Sequence, residues 1–126
     1  MDTNVLFAEE SYAIMSCAFE VIKIIGPGLH EKIYENALAR EFSLRGIPFT
    51  KQLRYEVDYK GESMGEFVPD LIAYGKIIVE TKTIDRITQV DRGQVMNYLR
   101  ITGHRLGIII IINFKNPKLE TQRVAL

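Results

Sequence analysis

Apolar residues recur at helical spacing in the first third of the chain and predict two helices, over 10–25 and 30–45. Gly-Pro-Gly at 26–28 ends the first pattern, and Gly46 is suited to the position just after the second helix. The expected buried stripes are Ile14, Cys17, Ala18, Val21 and Ile25 in the first helix and Tyr34, Leu38 and Phe42 in the second.

A third helix is predicted from Thr88 to Thr102, because Thr88 and Asp91 have the spacing of a helix start and Gly103 follows. Its expected stripe is Ile87, Val90, Gln94, Tyr98 and Ile101. Gln94 stands where an apolar side chain is expected, and a buried amide needs a hydrogen-bond partner. It is either a satisfied core glutamine or part of a polar site.

Strands account for the remaining apolar segments. Residues 53–59 alternate between apolar and charged, which indicates a half-exposed strand, and two further strands are predicted over 65–73 and 77–84. The run "LGIIIIINF" at 106–114 predicts a strand buried on both faces, and the tail at 120–126 predicts a final edge strand. The order α-α-β-β-β-α-β(-β) predicts an α/β fold with a mixed β-sheet flanked by helices.

The length and composition fit one globular domain spanning residues 1–126, because 126 residues with 47% hydrophobic content support a single core. The longest isoleucine run, at 108–112, is too short to cross a bilayer, and the first residues lack the basic segment of a signal peptide. Cys17 is the only cysteine, which excludes an intrachain disulfide and a cysteine-based zinc site. We expect a cytoplasmic protein with no membrane partner.

Charge is balanced overall but divided unevenly along the chain. The 16 basic and 16 acidic residues cancel, which argues against strong non-specific binding of nucleic acid. Residues 1–75 nevertheless carry 7 basic and 12 acidic side chains, whereas residues 76–126 carry 9 basic and 4 acidic. The second part could contact phosphates, although chance segregation in a short chain explains the division equally well.

Asp70, Glu80 and Lys82 are charged residues in or beside strands that otherwise look buried. Glu80 and Lys82 share a strand face because they are two residues apart. Asp70 stands opposite Glu80 only if the hairpin is centred on Gly75 with a three-residue turn. A two-residue turn would place the two acids on opposite faces of the sheet.

Two carboxylates brought together in this way repel each other, and a divalent cation such as Mg²⁺ resolves that conflict. Lys82 could orient an attacking water or neutralise charge on a phosphate. The alternative is a buried ion network in which Lys82 simply pairs with Asp70 or Glu80. Glu31 lies three residues before Tyr34 on the stripe of the second helix, or else only stabilises the helix dipole.

These residues together resemble the PD-(D/E)xK phosphodiesterase superfamily, whose first motif element is literally Pro69-Asp70 here. The segment "GLHEKIY" at 28–34 is similar to the signature of the GxxExxY family of that superfamily. The similarity continues through "RGIPF", "PDLIAYGKIIVETK", "QVMNYLRITG" and "GIIIIINF", so that it spans roughly residues 10 to 124. The resemblance implies a restriction-endonuclease-like core.

The resemblance also implies a metal site that binds Mg²⁺ or Mn²⁺. Asp70 and Glu80 would be metal ligands, Glu31 an additional acidic ligand, and Thr81 a ligand through its carbonyl oxygen. The Thr81 side chain itself is expected to point away from the site.

The resemblance implies a metal-dependent nuclease that uses a metal-activated water to hydrolyse nucleic acid. DNA is the expected substrate. Lys82 would be the catalytic lysine, and Gln94 would contact the site or the substrate. Related nucleases often pair subunits, so a homodimer is a further expectation. The alternative is a nuclease-fold module with little or no activity that binds nucleic acid or a protein partner.

Overall fold

The structure is a computed structural model that describes residues 5–84, 86–112 and 119–126. Its three helices in chain order are α1 (Ala8–Ile25), α2 (Glu31–Leu44) and α3 (Gln89–Thr102). The predicted third helix is confirmed with its ends, because Thr88 and Asp91 form a reciprocal capping box and Gly103 has the left-handed backbone of a helix stop. No helix in the described ranges is long and apolar enough to cross a bilayer.

Seven strands complete the described chain. They are β1 (Phe49–Lys51), β2 (Tyr55–Tyr59), β3 (Glu62–Phe67), β4 (Leu71–Ala73), β5 (Ile77–Lys82), β6 (Leu106–Ile112) and β7 (Leu119–Ala125). Five of them form a mixed sheet in the order β1-β4-β5-β6-β7, in which only β5 and β6 are parallel. α3 makes the crossover between those two strands, as parallel neighbours require. The predicted α/β fold with a mixed sheet between helices is therefore confirmed.

The central strands of the sheet, β4, β5 and β6, are buried on both faces. α1 and α2 cover one face, where the buried cluster includes Ile14, Leu38, Phe42 and alternate residues of β5 and β6. α3 covers the other face, where Val95 and Leu99 pack against the remaining alternate residues. All seven residues of β6 are buried, which explains why its sequence is a continuous apolar run.

The prediction of one continuous strand over 65–73 is wrong, because this segment forms parts of two strands. β3 ends at Phe67 and β4 begins at Leu71, with Pro69 between them. Proline has no backbone N–H to donate to a ladder, so the break falls where pairing is weakest. β2 and β3 form their own two-stranded sheet, and β4 joins the main sheet beside the short strand β1, which was not predicted.

The β2–β3 hairpin packs on α3 through aromatic side chains. The rings of Phe67 and Tyr98 are stacked with centroids 3.8 Å apart. The Tyr55 hydroxyl is 3.2 Å from the Nε2 atom of His104, just beyond the end of α3. The hairpin therefore packs against the carboxyl-terminal part of α3.

Two other expectations change at their ends. Ile25 closes the predicted stripe of α1 but is 37% exposed, because the helix ends there. The strand predicted over 106–114 is confirmed to Ile112, and residues 113 and 114 lie outside the described residues. The predicted tail strand is confirmed as β7, which pairs antiparallel with β6.

Candidate active site

The hairpin between β4 and β5 determines which polar side chains meet. Its paired residues are Leu71 with Val79, Ile72 with Ile78 and Ala73 with Ile77. The pairing is centred on Gly75, and both Tyr74 and Gly75 have positive φ, 57° and 69°. The turn therefore has three residues, and the next step outward brings Asp70 opposite Glu80. The predicted register is confirmed.

Asp70 lies just before β4 and is held by the backbone and side chain of Thr81. One carboxylate oxygen, Oδ2, accepts a hydrogen bond from the Thr81 N–H at 2.9 Å and a second from the Thr81 hydroxyl at 3.2 Å. The expectation that the Thr81 side chain points away from the site is wrong, because its strand position places the hydroxyl beside Asp70. Thr81 therefore fixes the orientation of the aspartate.

Glu80 is a buried carboxyl, 7% exposed. Burial raises its pKa to about 9, the negative charge of Asp70 and a hydrogen bond with Asp70 add to the rise, and the charge of Lys82 opposes it. Its Oε1 atom is fully buried and has no hydrogen-bond partner within the described part of the chain. A buried acceptor without a donor is costly, so this oxygen is a place where a cation would be stabilising.

Lys82 follows two residues after Glu80 and is half-buried at the end of β5. Strand alternation places the two side chains on one face of the sheet, as predicted, and the position of Ile78 shows that this is the face covered by α3. Tyr98 of α3 is close to both: burial raises the pKa of its hydroxyl, the charge of Glu80 raises it further, and Lys82 lowers it. The Tyr98 ring, whose hydroxyl feels the charge of Glu80, is stacked against Phe67 of β3.

α2 brings another acid to Asp70, and it is Glu35 rather than Glu31. Glu35 is 4% exposed, and its Oε2 atom lies 2.5 Å from Nζ of Lys32. Burial raises the pKa of the Glu35 carboxyl, the bond from Lys32 opposes the rise, and the charge of Asp70 adds to it. Sequence reasoning missed Glu35, although its spacing to Leu38 and Phe42 is helical.

Glu31 is exposed at the first residue of α2, so the expectation that it extends the buried stripe is wrong. It does line the open groove beside the site, whose volume is about 350 Å³. The groove is lined by Glu31, Lys32, Glu35, Gln52, Val68, Asp70 and Thr81. Its size is that of a pocket for a small ligand or part of a larger one.

Tyr34 holds the loop that leads into α2. Its buried hydroxyl donates to the Gly26 carbonyl oxygen at 2.7 Å and accepts from the Leu29 N–H at 3.1 Å. Gly28 within this loop has a φ of 108°, which other residues rarely adopt. Gly28 and Tyr34 therefore both serve the structure of this loop. Gly28 adopts the backbone conformation that the loop needs, and Tyr34 hydrogen-bonds the loop to α2.

Gln94 is exposed on α3, and the prediction that it faces the core is wrong. The buried residues of α3 are Val95 and Leu99, while Val90 of the expected stripe is 72% exposed. The buried face is therefore rotated by about one residue from the predicted one. A role for Gln94 toward a substrate stays a prediction.

The donor set suits a cation that keeps part of its water shell. Among residues 5–84, 86–112 and 119–126, no three His, Cys, Asp or Glu side chains are arranged as a formed metal cluster. Asp70 and Glu80 are the two acids that meet across the hairpin, and the buried Glu80 oxygen lacks a partner among the described residues. Mg²⁺ accepts a coordination shell made of two carboxylates, a backbone carbonyl oxygen and water molecules.

A comparison with protein-family models decides the identity. The model of the PD-(D/E)XK nuclease superfamily matches residues 8–124. The chain belongs to the PD-(D/E)XK nuclease superfamily. A comparison with curated proteins finds no match.

One solved structure resembles this superfamily member in fold. The crystal structure of SSO0001 aligns with a TM-score of 0.57 at 15% identity, over 94% of this chain and 60% of that protein. At that identity the similarity shows the fold alone, and this chain spans about 60% of the length of SSO0001. An alkaline exonuclease (LHK-Exo) from Laribacter hongkongensis aligns at a TM-score of 0.42 and 11% identity, over 86% of this chain and 75% of that one.

Proposed function

We propose that this protein is a divalent-metal-dependent nuclease that hydrolyses phosphodiester bonds in DNA. The observation that carries the proposal is that the β4–β5 register brings Asp70 beside the buried Glu80, whose Oε1 atom has no partner within the described ranges. Lys82 adds a cation on the same strand face as Glu80. Membership in a nuclease superfamily supports this reading of the arrangement.

The site fits the Mg²⁺ or Mn²⁺ that PD-(D/E)XK nucleases generally use. Asp70 and Glu80 would bind the ion together with the Thr81 carbonyl oxygen, and Glu35 or Glu31 would add negative charge from α2. When bound, the cation would polarise the scissile phosphate and lower the pKa of an attacking water.

The residues of the chain have separable roles in this proposal. Thr81 orients Asp70 through two hydrogen bonds to one carboxylate oxygen, Oδ2. The Lys82 ammonium stabilises the charge that builds on the phosphate during attack. The groove beside Asp70 would receive the substrate strand, and the exposed Arg86, Arg100 and Arg105 would contact phosphates farther away.

The finer assignment is to the GxxExxY family, with one domain over residues 1–126 and a cytoplasmic setting. Gly28, Glu31 and Tyr34 occupy the signature positions, and the link between the Tyr34 hydroxyl and Gly26 and Leu29 gives the signature a structural role. Cys17 is free and buried, as is usual in a reducing compartment. Gln94, exposed on α3, is proposed to contact the substrate rather than the ion.

The experiment is a cleavage assay with end-labelled single- and double-stranded DNA and RNA, with Mg²⁺, Mn²⁺ or EDTA. We expect metal-dependent cleavage of DNA that falls at least about 100-fold in Lys82→Ala and Asp70→Asn. Lys60→Ala, at the exposed turn of the β2–β3 hairpin, is the matched control and should cut normally.

Two outcomes would overturn the proposal. One is the absence of cleavage of every substrate with either metal. The other is cleavage that Lys82→Ala and Asp70→Asn retain in full, which would point to a contaminant. DNA binding without cleavage, unchanged in Asp70→Asn, would instead favour the binding module.

A further inference from the structure

The outer face of α1 carries large apolar side chains that nothing in the described chain covers. Tyr12 is 77% exposed and Phe19 is 57% exposed. With Met15 and Ser16 they line a shallow groove of about 220 Å³. None of these residues lines the groove beside Asp70, so this surface has no part in the proposed catalysis.

This face of α1 has the spacing of a helix-pairing seam, and its central residue, Ser16, is half-buried and accepts a hydrogen bond from Arg45 at 2.9 Å. Glu9, Tyr12, Ser16, Phe19 and Lys23 follow one another at steps of three and four residues, which keeps them on one side of the helix. This seam lies opposite the buried face that includes Ile14 and Val21. We define these five residues as the α1 seam.

The charges at the two ends of the seam have opposite signs. Glu9 is in the first turn of α1 and Lys23 is in the last turn, and both are exposed. Neither forms an ion pair with another residue in the part of the chain that the structure describes. A second identical helix running antiparallel would therefore meet opposite charge at each end.

The geometry points to a second copy of this chain as the occupant, and we propose that the α1 seams of two copies pack antiparallel about a two-fold axis. An axis midway between Tyr12 and Phe19 places Tyr12 of each copy opposite Phe19 of the other. The same axis places Lys23 opposite Ala8, one residue from Glu9. Aromatic rings thus meet at the centre and ion pairs form at both ends, which is the self-complementarity that a two-fold dimer requires.

The dimer is expected to be weak. An 18-residue helix is about 27 Å long, and one helix pair covers an interface at or below the lower limit of specific interfaces, about 1,200 Å². Association should therefore depend on concentration, with a dissociation constant in the micromolar range. The inference goes beyond the nuclease proposal and does not depend on it.

Sedimentation equilibrium of the full chain from about 1 µM to about 1 mM tests the dimer. We expect a monomer–dimer equilibrium that Phe19→Lys shifts to monomer throughout this range. Ile24→Lys is the matched control: Ile24 is 71% exposed on the same helix but about 140° around it from Phe19. Circular dichroism should show that both variants keep the native helix content.

Charge reversal tests the antiparallel arrangement. Glu9→Lys and Lys23→Glu should each weaken the dimer about tenfold, because each creates like charges at both ends. The double variant Glu9→Lys/Lys23→Glu should restore wild-type affinity. A wild-type monomer at every concentration, a dimer that Phe19→Lys leaves intact, or a double variant no tighter than the single ones would overturn the proposal.

Discussion

The carboxylate of Asp70 is oriented by Thr81, whose N–H and hydroxyl both donate to the same oxygen, at 2.9 and 3.2 Å. The backbone bond can form with any residue except proline at position 81, whereas the hydroxyl bond needs threonine or serine. Asp70 is also the residue at which acids from two different elements converge, Glu80 from β5 and Glu35 from α2. The charge of Asp70 therefore acts on both glutamates and raises the pKa of each.

Thr81→Val is expected to lower kcat/KM for DNA cleavage about tenfold, because it removes one hydrogen bond to the charged Asp70 carboxylate. Valine keeps the shape of threonine and leaves the backbone bond in place. Thr81→Ser keeps the hydroxyl and should retain most activity. Thr50→Val, on the exposed part of β1, is the control and should cut DNA like the wild type. Equal activity of Thr81→Val and the wild type would show that the hydroxyl does not position Asp70.

The two acids of α2 can be separated by paired substitutions. Glu35→Gln should weaken Mn²⁺ binding about tenfold or more, because Glu35 is buried and its charge acts on Asp70. Glu31→Gln should weaken it less than about threefold, since Glu31 is exposed to solvent that screens its charge. Titration calorimetry with Mn²⁺ measures both. The reverse order of effects would assign the ligand role to Glu31.

Glu80 makes the stability of the metal-free protein depend on pH. The folded carboxyl has a pKa of about 9, against an ordinary value of 4.5, so the folded state keeps a proton that the unfolded state releases. The free energy of unfolding therefore falls as the pH rises from 4.5 towards 9, by at most about 1.4 kcal/mol per pH unit. Urea denaturation in EDTA across this range measures the slope.

Glu80→Gln removes this titration and is the comparison that isolates it. The difference in unfolding free energy between Glu80→Gln and the wild type should grow in favour of the variant as the pH rises. Glu62→Gln, at an exposed position of β3, should give a constant difference. A constant difference for Glu80→Gln would mean that Glu80 titrates normally in the folded protein.

Tyr34→Phe tests the link between α2 and the loop before it. The substitution keeps the ring but leaves the Gly26 carbonyl and the Leu29 N–H without their partner, so we expect a loss of about 1–3 kcal/mol in unfolding free energy. Hydrogen exchange at the Leu29 amide should become faster. Tyr59→Phe, on an exposed side chain, should change neither quantity. Unchanged exchange at Leu29 would show that the loop does not need the hydroxyl.

Gly107→Ala tests the approach of α3 to the sheet. A Cβ atom at position 107 would lie 2.6 Å from Cγ1 of Val95, too close for any packed pair. We expect a loss of about 1–3 kcal/mol in unfolding free energy, and partial recovery in the double variant with Val95→Ala. Gly93→Ala has open space around its Cβ position and should stabilise α3 by about 0.5–1 kcal/mol. An unchanged free energy of unfolding in Gly107→Ala would mean that α3 can move away from the sheet without destabilising the fold.

Local signals in the sequence were sufficient for much of the fold. The capping box at Thr88 and Asp91 fixes where α3 begins, because those contacts form within four residues. The register that brings Asp70 to Glu80 follows from the turn at Gly75 for the same reason. Where the deciding contacts are near in sequence, the residues alone identify the structure.

Contacts between distant segments explain the errors. The buried face of α3 is set by Val95, whose side chain occupies the space that a Cβ atom at Gly107 would fill. The sequence of the helix alone does not show that Gly107 is its neighbour. The interaction of Glu35 with Asp70 joins α2 to the β4–β5 hairpin, which is a distant segment of the sequence. β1 is only three residues long and has no periodicity to detect. These positions depend on tertiary packing, which overrides local pattern.

The turn at Tyr74 and Gly75 restricts how the length of this protein can vary. Adding or deleting one residue there would move Glu80 to the opposite side of its strand and separate it from Asp70, although the fold itself could persist. The turn at Lys60 and Gly61 joins two strands that carry none of the proposed site residues. A change of length there would leave the register between Asp70 and Glu80 unchanged. Homologous chains should therefore differ in length at the second turn and keep the first one constant.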